Sequence, residues 1–588
     1  MVIQSAMEHA TQGRIEVALR SLRGALDGSA NDAPVLLALG QVLWFAGDQA
    51  GAIEALQRAA ASEAKGSRAR LELARALWSM GRSEEAAREY EEIVARQPRV
   101  IEGWNELAGV WVRAGEFDKA WGVFRRAAGA MPAETTPWLS WTHTMVRTGE
   151  VEAGVRVARE AASAFPESTE IIENLCLTLA FADGAGALEL VDLHTRLGGL
   201  MAQGSRRPAA VFTNSRDPNR PLKVAFWSTD FRFHACAFFL AGLLTRLDRS
   251  RVQVFCYALN APDSVSRAFA GLGVYRELQR VPEEEIARVA RADGIDVLVD
   301  CSGWSMGHRM DVLVPRLAPV QVEYLGYSNT SGLPTMDYRI VDAITDPPGS
   351  EAFATERLLR LPRCFVCFAM PDHTPPEALS PWLGAFAASG RVQPGVTFGC
   401  FNRLEKVQGR VLRCWATLLE RVPGATLLLK DGPPGSRLSL ERRFAGAGGD
   451  GSRLRWTGFE ADPSRHLAAY HQVDIALDPF AYNGTTTTCE SLLMGVPVVG
   501  LMGDQHRSRV GASLLTNVGL PELIAKSEDE YVSLAAGLAT DLPRLLRLHQ
   551  NVRRQMLASP ICNATQYAQD FEAALRGAWR GWCVGGAG

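Results

Sequence analysis

The chain has 588 residues, 22% of them charged, with a formal net charge of −3, so two to four cores are expected rather than one. That near-neutral balance gives no bulk attraction to nucleic acid or to an anionic membrane. No run nears the roughly 18 to 20 apolar residues of a membrane span and the N-terminus lacks a signal layout, so a cytoplasmic protein is expected. Eleven cysteines are scattered singly apart from Cys364-Phe-Val-Cys367. One such pair has no second pair to complete a zinc site, which favours buried, reduced thiols.

The N-terminal region is periodic. Gly13, Gly47, Gly81, Gly115 and Gly149 recur every 34 residues. Ala18, Ala52, Ala86 and Ala120 follow five residues later, with Gly154 the exception. Ala25, Ala59, Ala127 and Ala161 follow twelve later, with Ile93 out of pattern. Pro98, Pro132 and Pro166 close the last three units. A turn glycine, small residues at the helix crossing and a terminating proline are the tetratricopeptide pattern. Residues 1–200 are therefore expected to be an α-helical solenoid, with helices from Glu167 to about Met201 capping it. Such arrays hold a protein partner in a concave groove. Trp44, Trp78, Trp104, Trp111, Trp121, Trp138 and Trp141 are expected mostly in its core. Residues 201–221, rich in Pro, Arg, Ser and Asn, read as a linker.

From Lys223 short apolar runs alternate with helical stretches. Strands are expected at Lys223–Trp227, Val252–Tyr257, Asp296–Asp300, Val320–Tyr324 and Arg339–Val341. A second set is expected at Thr397–Cys400, Ala425–Lys430, Leu454–Thr457, Asp474–Leu477 and Pro497–Gly500. That alternation predicts parallel sheets in two Rossmann-like lobes, 222–385 and 386–588, separated by the irregular Pro-rich stretch Pro371–Pro394. Ligands of such sheets bind beyond the carboxyl ends of the strands. Asp230-Phe-Arg-Phe-His234, Gly326–Gly332, Phe401–Lys406 and Asn483–Thr487 all fall there.

The most informative of these is Asn483-Gly-Thr-Thr-Thr-Thr488, between an apolar run ending at Leu477 and a short helical pattern ending at Gly495. Free N–H groups and the dipole at the helix start make an anion site, to which the threonine hydroxyls add donors. No Walker lysine follows the glycine, which favours a nucleotide diphosphate leaving group over a P-loop NTPase.

Asp474–Glu490, Gly503–Ser513, Arg316–Gln321 and Leu325-Gly-Tyr327, joined to the repeats, resemble glycosyltransferase family 41, the O-linked N-acetylglucosamine transferases and their SPINDLY-like bacterial relatives. The resemblance implies a GT-B pair of lobes that is inverting and metal-independent. It further implies a nucleotide-sugar donor, most simply UDP-N-acetylglucosamine, and a Ser or Thr acceptor on a protein held by the repeats. No cofactor and no metal are then expected; the chain shows no convincing Asp-x-Asp loop. In the same way Lys406 matches the lysine that holds the donor diphosphate, offsetting charge on the leaving group. Asn402, Arg403, Asn483 and Gly484 line the same site, and Thr485, Thr486 and Thr487 bind the phosphates. Glu490 matches the acidic ribose contact and His466 a histidine near the base. His234 matches the cleft histidine of the first lobe, where an imidazole can accept a proton or orient a sugar hydroxyl.

Three positions depart from the family pattern. Val274 stands where relatives carry a second histidine. The Gly-Tyr-Pro-Gly-Thr-x-Gly loop reads Gly326-Tyr-Ser-Asn-Thr-Ser-Gly332, and Arg403 replaces a Gln. The extra cation suits an acidic sugar, so a flagellin-type transferase using a nonulosonic acid is one alternative. A nucleotide-binding scaffold without turnover is the other.

Overall fold

The computed structural model describes residues 2–63, 67–205, 210–390, 395–458 and 460–585. Residues 206–209 of the expected linker and 391–394 of the Pro-rich stretch lie outside them. The chain forms two compact units, Met1–Thr144 and Met145–Gly588.

The first unit holds α1 (Val2–Thr11), α2 (Ile15–Leu26), α3 (Ala33–Phe45), α4 (Gln49–Ser62), α5 (Arg68–Ser79), α6 (Ser83–Arg96), α7 (Ile101–Arg113) and α8 (Phe117–Ala130), packed in sequential pairs. The periodic glycines all adopt positive φ, from 76° to 86°, which other residues reach only with strain. Ala18, Ala52, Ala86 and Ala120 are wholly buried at the crossings, where a larger side chain would push the helices apart. Of the seven tryptophans only Trp104 and Trp141 are core; the other five are half-buried. Their exposed faces attract cations instead: Arg113 lies 4.1 Å over Trp78 and Lys119 4.4 Å over Trp111.

A further helix, α9 (Thr136–Arg147), spans the division. In the second unit α10 (Val151–Ala164), α11 (Thr169–Leu179) and α12 (Ala187–Gly204) pack on the α/β lobes, so the expected 1–200 array is divided between the units. Glu150 accepts hydrogen bonds from Ser439 and Arg442, both 2.6 Å. Gly198 of α12 leaves no room for a Cβ against the Gly332 backbone.

The first lobe is a seven-stranded parallel sheet in the order β3-β2-β1-β4-β5-β6-β7. Its strands are β1 (Leu222–Ser228), β2 (Val252–Ala258), β3 (Val274–Glu277), β4 (Val297–Asp300), β5 (Val320–Glu323), β6 (Tyr338–Asp342) and β7 (Arg357–Leu361). The second is a six-stranded parallel sheet in the order β10-β9-β8-β11-β12-β13. It comprises β8 (Thr397–Cys400), β9 (Thr426–Lys430), β10 (Leu454–Thr457), β11 (Ile475–Leu477), β12 (Val498–Leu501) and β13 (Ile524–Ala525). The winding direction reverses between β1 and β4 and again between β8 and β11, which opens a crevice at each point. The sequence shows no apolar run at β3, β7 and β13 because they are the sheet edges, with β3 and β7 only partly buried.

Both boundaries of the second lobe differ from the expected 386–588. Helix Pro381–Ser389 is capped by Ser380, which also bonds Asp474, and its Leu383 lies in the second-lobe core. The last helix, Ala564–Val584, crosses back to the first lobe. Tyr567, Phe571, Leu575 and Trp579, four residues apart, form one apolar stripe that closes the first-sheet core. The segment before β1 is pinned beneath it: Arg576 donates to the Pro218 and Arg220 carbonyls at 3.1 and 2.7 Å. Phe571→Ala empties a fully buried site and is expected to cost about 3 to 5 kcal/mol, read as a lower thermal midpoint. An unchanged midpoint would show that this helix does not close the first-lobe core.

Candidate active site

The chain leaves β11 at Asp478, whose carboxylate is almost wholly buried. It accepts the Gly484 N–H at 2.7 Å and lies 3.5 Å from Asn402 Nδ2. That bond folds Pro479–Asn483 into a loop and sets Gly484 at the foot of helix Thr486–Leu493. A Cβ on Gly484 would meet Thr487 Oγ1 and the Asn402 amide, so only glycine fits. Burial raises the Asp478 pKa, and Lys406 opposes the rise.

Lys406 ends the short helical turn Leu404–Lys406 after β8. Its ammonium donates to the Asn483 carbonyl at 2.7 Å and lies 4.3 Å over the Tyr482 ring. Burial lowers its pKa to about 8, and Asp478 resists the shift. The lysine is thus aimed at the threonine turn by the loop that Asp478 shapes.

The side chains of Asn402 and Asn483 face inward. Asn402 Oδ1 accepts Thr487 Oγ1–H at 3.0 Å. Asn483 Oδ1 accepts the Gly511 N–H at 3.1 Å, and its Nδ2 donates to the Pro479 carbonyl at 2.9 Å. They brace the turn rather than offer a free amide to a ligand. Thr485, Thr486 and Thr487 stay half-exposed at the helix start, where Thr485 makes no side-chain cap bond. A turn further along, Glu490 Oε2 takes the Tyr470 hydroxyl at 3.1 Å and His466 Nε2 at 3.3 Å. Phe401 packs against Tyr470 with its ring tilted, the centroids 4.6 Å apart. Beside this wall a cavity of about 400 Å³ is lined by Phe401, Asn402, Arg403, Lys430, Asp431 and Gly432.

His234 caps helix Ala235–Leu244 at the end of β1. Its Nδ1 lies 3.3 Å from the Asp230 carboxylate and 3.3 Å from the Cys236 N–H. Donation to Asp230 leaves Nε2 a lone pair; acceptance from Cys236 leaves it a proton. Burial lowers the imidazole pKa; Asp230 opposes the shift, while Arg232 and Arg403 add to it. Arg403 belongs to the second lobe, so a charge of that lobe reaches His234 of the first. Arg403 itself is mostly exposed, paired with Glu405 at 2.9 Å and 5.9 Å over the Phe181 ring.

The altered loop 326–332 holds the lobes together. Tyr482 donates to Ser328 Oγ at 3.0 Å and Arg507 donates to Asn329 Oδ1 at 3.1 Å. Behind it, His194 lies 2.6 Å from the Leu190 carbonyl and 2.9 Å from the Tyr327 hydroxyl. Burial lowers the His194 pKa to about 4, so the ring is neutral: Nδ1 donates to Leu190 and Nε2 accepts from Tyr327. Phe181, in the turn after α11, stacks on Tyr482 at 5.3 Å. The helical repeat nearest the lobes therefore shapes the cleft wall. Val274 lies in β3 at the sheet edge, paired with Phe255. Sequence reasoning missed Asp478, Tyr482, Phe181 and Tyr470. Asp478 carries a local signal, an acid directly after a buried strand; the others become visible only through contacts distant in sequence.

Two parallel sheets with facing switch points, one carrying an anion turn and a lysine, define the GT-B class of glycosyltransferase fold. A family model described as glycosyl transferase family 41 matches residues 202–375 and 387–571, and the chain belongs to that family. A tetratricopeptide model matches residues 3–68 and 71–134. The SPINDLY protein of Arabidopsis thaliana, named as a probable UDP-N-acetylglucosamine–peptide N-acetylglucosaminyltransferase, is 39% identical over 63% of this chain and 41% of its own length. The UDP-N-acetylglucosamine–peptide N-acetylglucosaminyltransferase of Caenorhabditis elegans is 26% identical over 61% of this chain and 41% of its own. This chain spans about two-fifths of the length of the curated relatives it matches. Among solved structures, a mutant of Thermobaculum terrenum O-GlcNAc transferase aligns with a TM-score of 0.73 and 30% identity, covering 88% of this chain and 98% of that one.

Gly484→Ala is expected to weaken binding of a nucleoside diphosphate by at least about tenfold, or about 1.4 kcal/mol, because the turn must open to admit the methyl group. Titration calorimetry checks it, and unchanged affinity would remove this turn from the binding site.

Proposed function

We propose that this protein is an inverting, metal-independent O-glycosyltransferase that moves a sugar, N-acetylglucosamine from UDP as the best reading, to Ser or Thr of a protein held by its repeats. The observation that carries the reading is the placement of Lys406, the threonine turn and Glu490 at one switch point, across a cleft from His234 at the other. Names of relatives supply the donor and acceptor class.

The acceptor oxygen attacks the anomeric carbon and the bond from that carbon to the diphosphate breaks, its electron pair leaving with the nucleotide. Lys406, the half-exposed threonines and the helix start meet the charge that develops there. Glu490 suits the ribose hydroxyls, with His466 beside the base. The acceptor proton passes to His234 Nε2 in the tautomer that donates to Asp230, or to a donor phosphate oxygen. In the other tautomer Nε2–H orients a sugar hydroxyl. The acidic-sugar reading loses support, since the Arg403 charge is already balanced by Glu405. No helix among the described residues is long and apolar enough to cross a membrane.

UDP is expected to raise the thermal midpoint where GDP and CMP do not; a preference for GDP or CMP would overturn the UDP assignment. Lys406→Ala is expected to lower kcat about 10²- to 10³-fold in transfer to a co-expressed acceptor, followed by intact mass. No added sugar from the wild type with any sugar nucleotide would defeat the enzyme reading.

Because burial lowers the Lys406 pKa to about 8, kcat/KM is expected to fall as pH rises through about 8, where the amine loses its charge. Lys406→Arg should carry that fall to higher pH. A profile identical in both proteins would separate the alkaline limb from this residue.

A further inference from the structure

Three kinds of metal-ligating side chain converge at the end of β1. One ligand atom each from Asp230, His234 and Cys236 lie within 4.8 Å of one another, the one such group among the described residues. A tetrahedral zinc ion with bonds of about 2.0 to 2.1 Å to N and O holds those ligands about 3.3 to 3.4 Å apart. The Asp230 oxygen and His234 Nδ1 already stand at 3.3 Å. A zinc–sulfur bond of about 2.3 Å asks for a sulfur about 3.6 Å from each, within the span of the cluster. Asp230 is fixed by burial, with its side chain 5% exposed. His234 and Cys236 are held by the cap and first turn of one helix and are half-buried, the Cys236 thiol bonding to Asp230.

We propose that Asp230, His234 and Cys236 form a zinc(II) site that shuts the cleft reversibly. The mixed O, N and S set suits zinc and excludes magnesium and calcium, which take oxygen ligands. On binding, the Cys236 thiol releases its proton to solvent as the Zn–S bond forms. The His234 Nδ1 lone pair leaves the Cys236 N–H for the metal, and Asp230 stays ionised. Two anionic ligands neutralise the ion. Arg232, 3.6 Å from Asp230, opposes the cation, which keeps the affinity moderate and the inhibition reversible. Three protein ligands leave a fourth position for water. Metal binding stands on the geometry alone; its inhibitory effect rests on the proposed role of His234.

The test compares the full chain with Cys236→Ser, each protein's rate with zinc being referred to its own rate without it. After incubation with zinc chloride and desalting, elemental mass spectrometry is expected to find one more bound zinc in the wild type, with one proton released into weak buffer. Magnesium should give neither. Sugar transfer by the wild type should fall at least about tenfold with zinc and recover with EDTA, whereas Cys236→Ser should keep its rate, the loss of a ligand weakening the site by at least about tenfold. Equal zinc content in wild type, Cys236→Ser and His234→Ala overturns the site; Cys236→Ala replaces the serine variant if that fails to fold. Zinc bound in the wild type alone, with transfer unaffected, overturns the inhibition and the placing of His234 at the reaction centre, but not the metal site.

Discussion

The bond from the Gly484 N–H to the buried Asp478 carboxylate sets the rest of the cleft. A carboxylate taken out of water needs hydrogen bonds and a nearby cation, and here the threonine turn and the lysine beside it provide them. Gly484 supplies the N–H, and Lys406 supplies the charge while bonding the Asn483 carbonyl. Strand end, turn and lysine are thereby locked into one geometry before any ligand arrives. Preorganised donors of this kind need little reorganisation when charge develops on a leaving group.

The same economy governs the contact between the lobes. Ser328 and Asn329 meet Tyr482 and Arg507 through single hydrogen bonds of about 3 Å, and the Tyr482 ring is the seat of the Lys406 ammonium. A neutral, buried His194 fixes Tyr327 from α12, and Phe181 covers the other side of Tyr482. Helices that look like repeats in sequence thus brace Lys406 through its neighbours.

Much of this was legible in the chain. The 34-residue glycine period reports a local constraint, a positive φ at each turn, so it survives in the sequence unchanged. Central strands such as β1, β4, β8 and β11 are buried on both faces and read as apolar runs. Edge strands β3 and β13 carry no such signal. Lys406 and the threonines stand out in the sequence because they lie at strand and helix ends, where chain order alone puts them near the crevice. The side chains of Asn402 and Asn483 turn to brace the loop, which spacing cannot show.

The sequence by itself determined the local elements: the repeat turns, the parallel strands and the helix that starts at the threonine row. Those follow from backbone sterics and hydrophobic period, which act over a few residues. Only the tertiary structure decided that the last helix closes the first lobe rather than the second. It alone placed the helix pair of α11 and α12, the sixth in chain order, against the cleft. These depend on pairs of surfaces far apart in the chain, each of which is apolar or polar without naming the partner that will cover it.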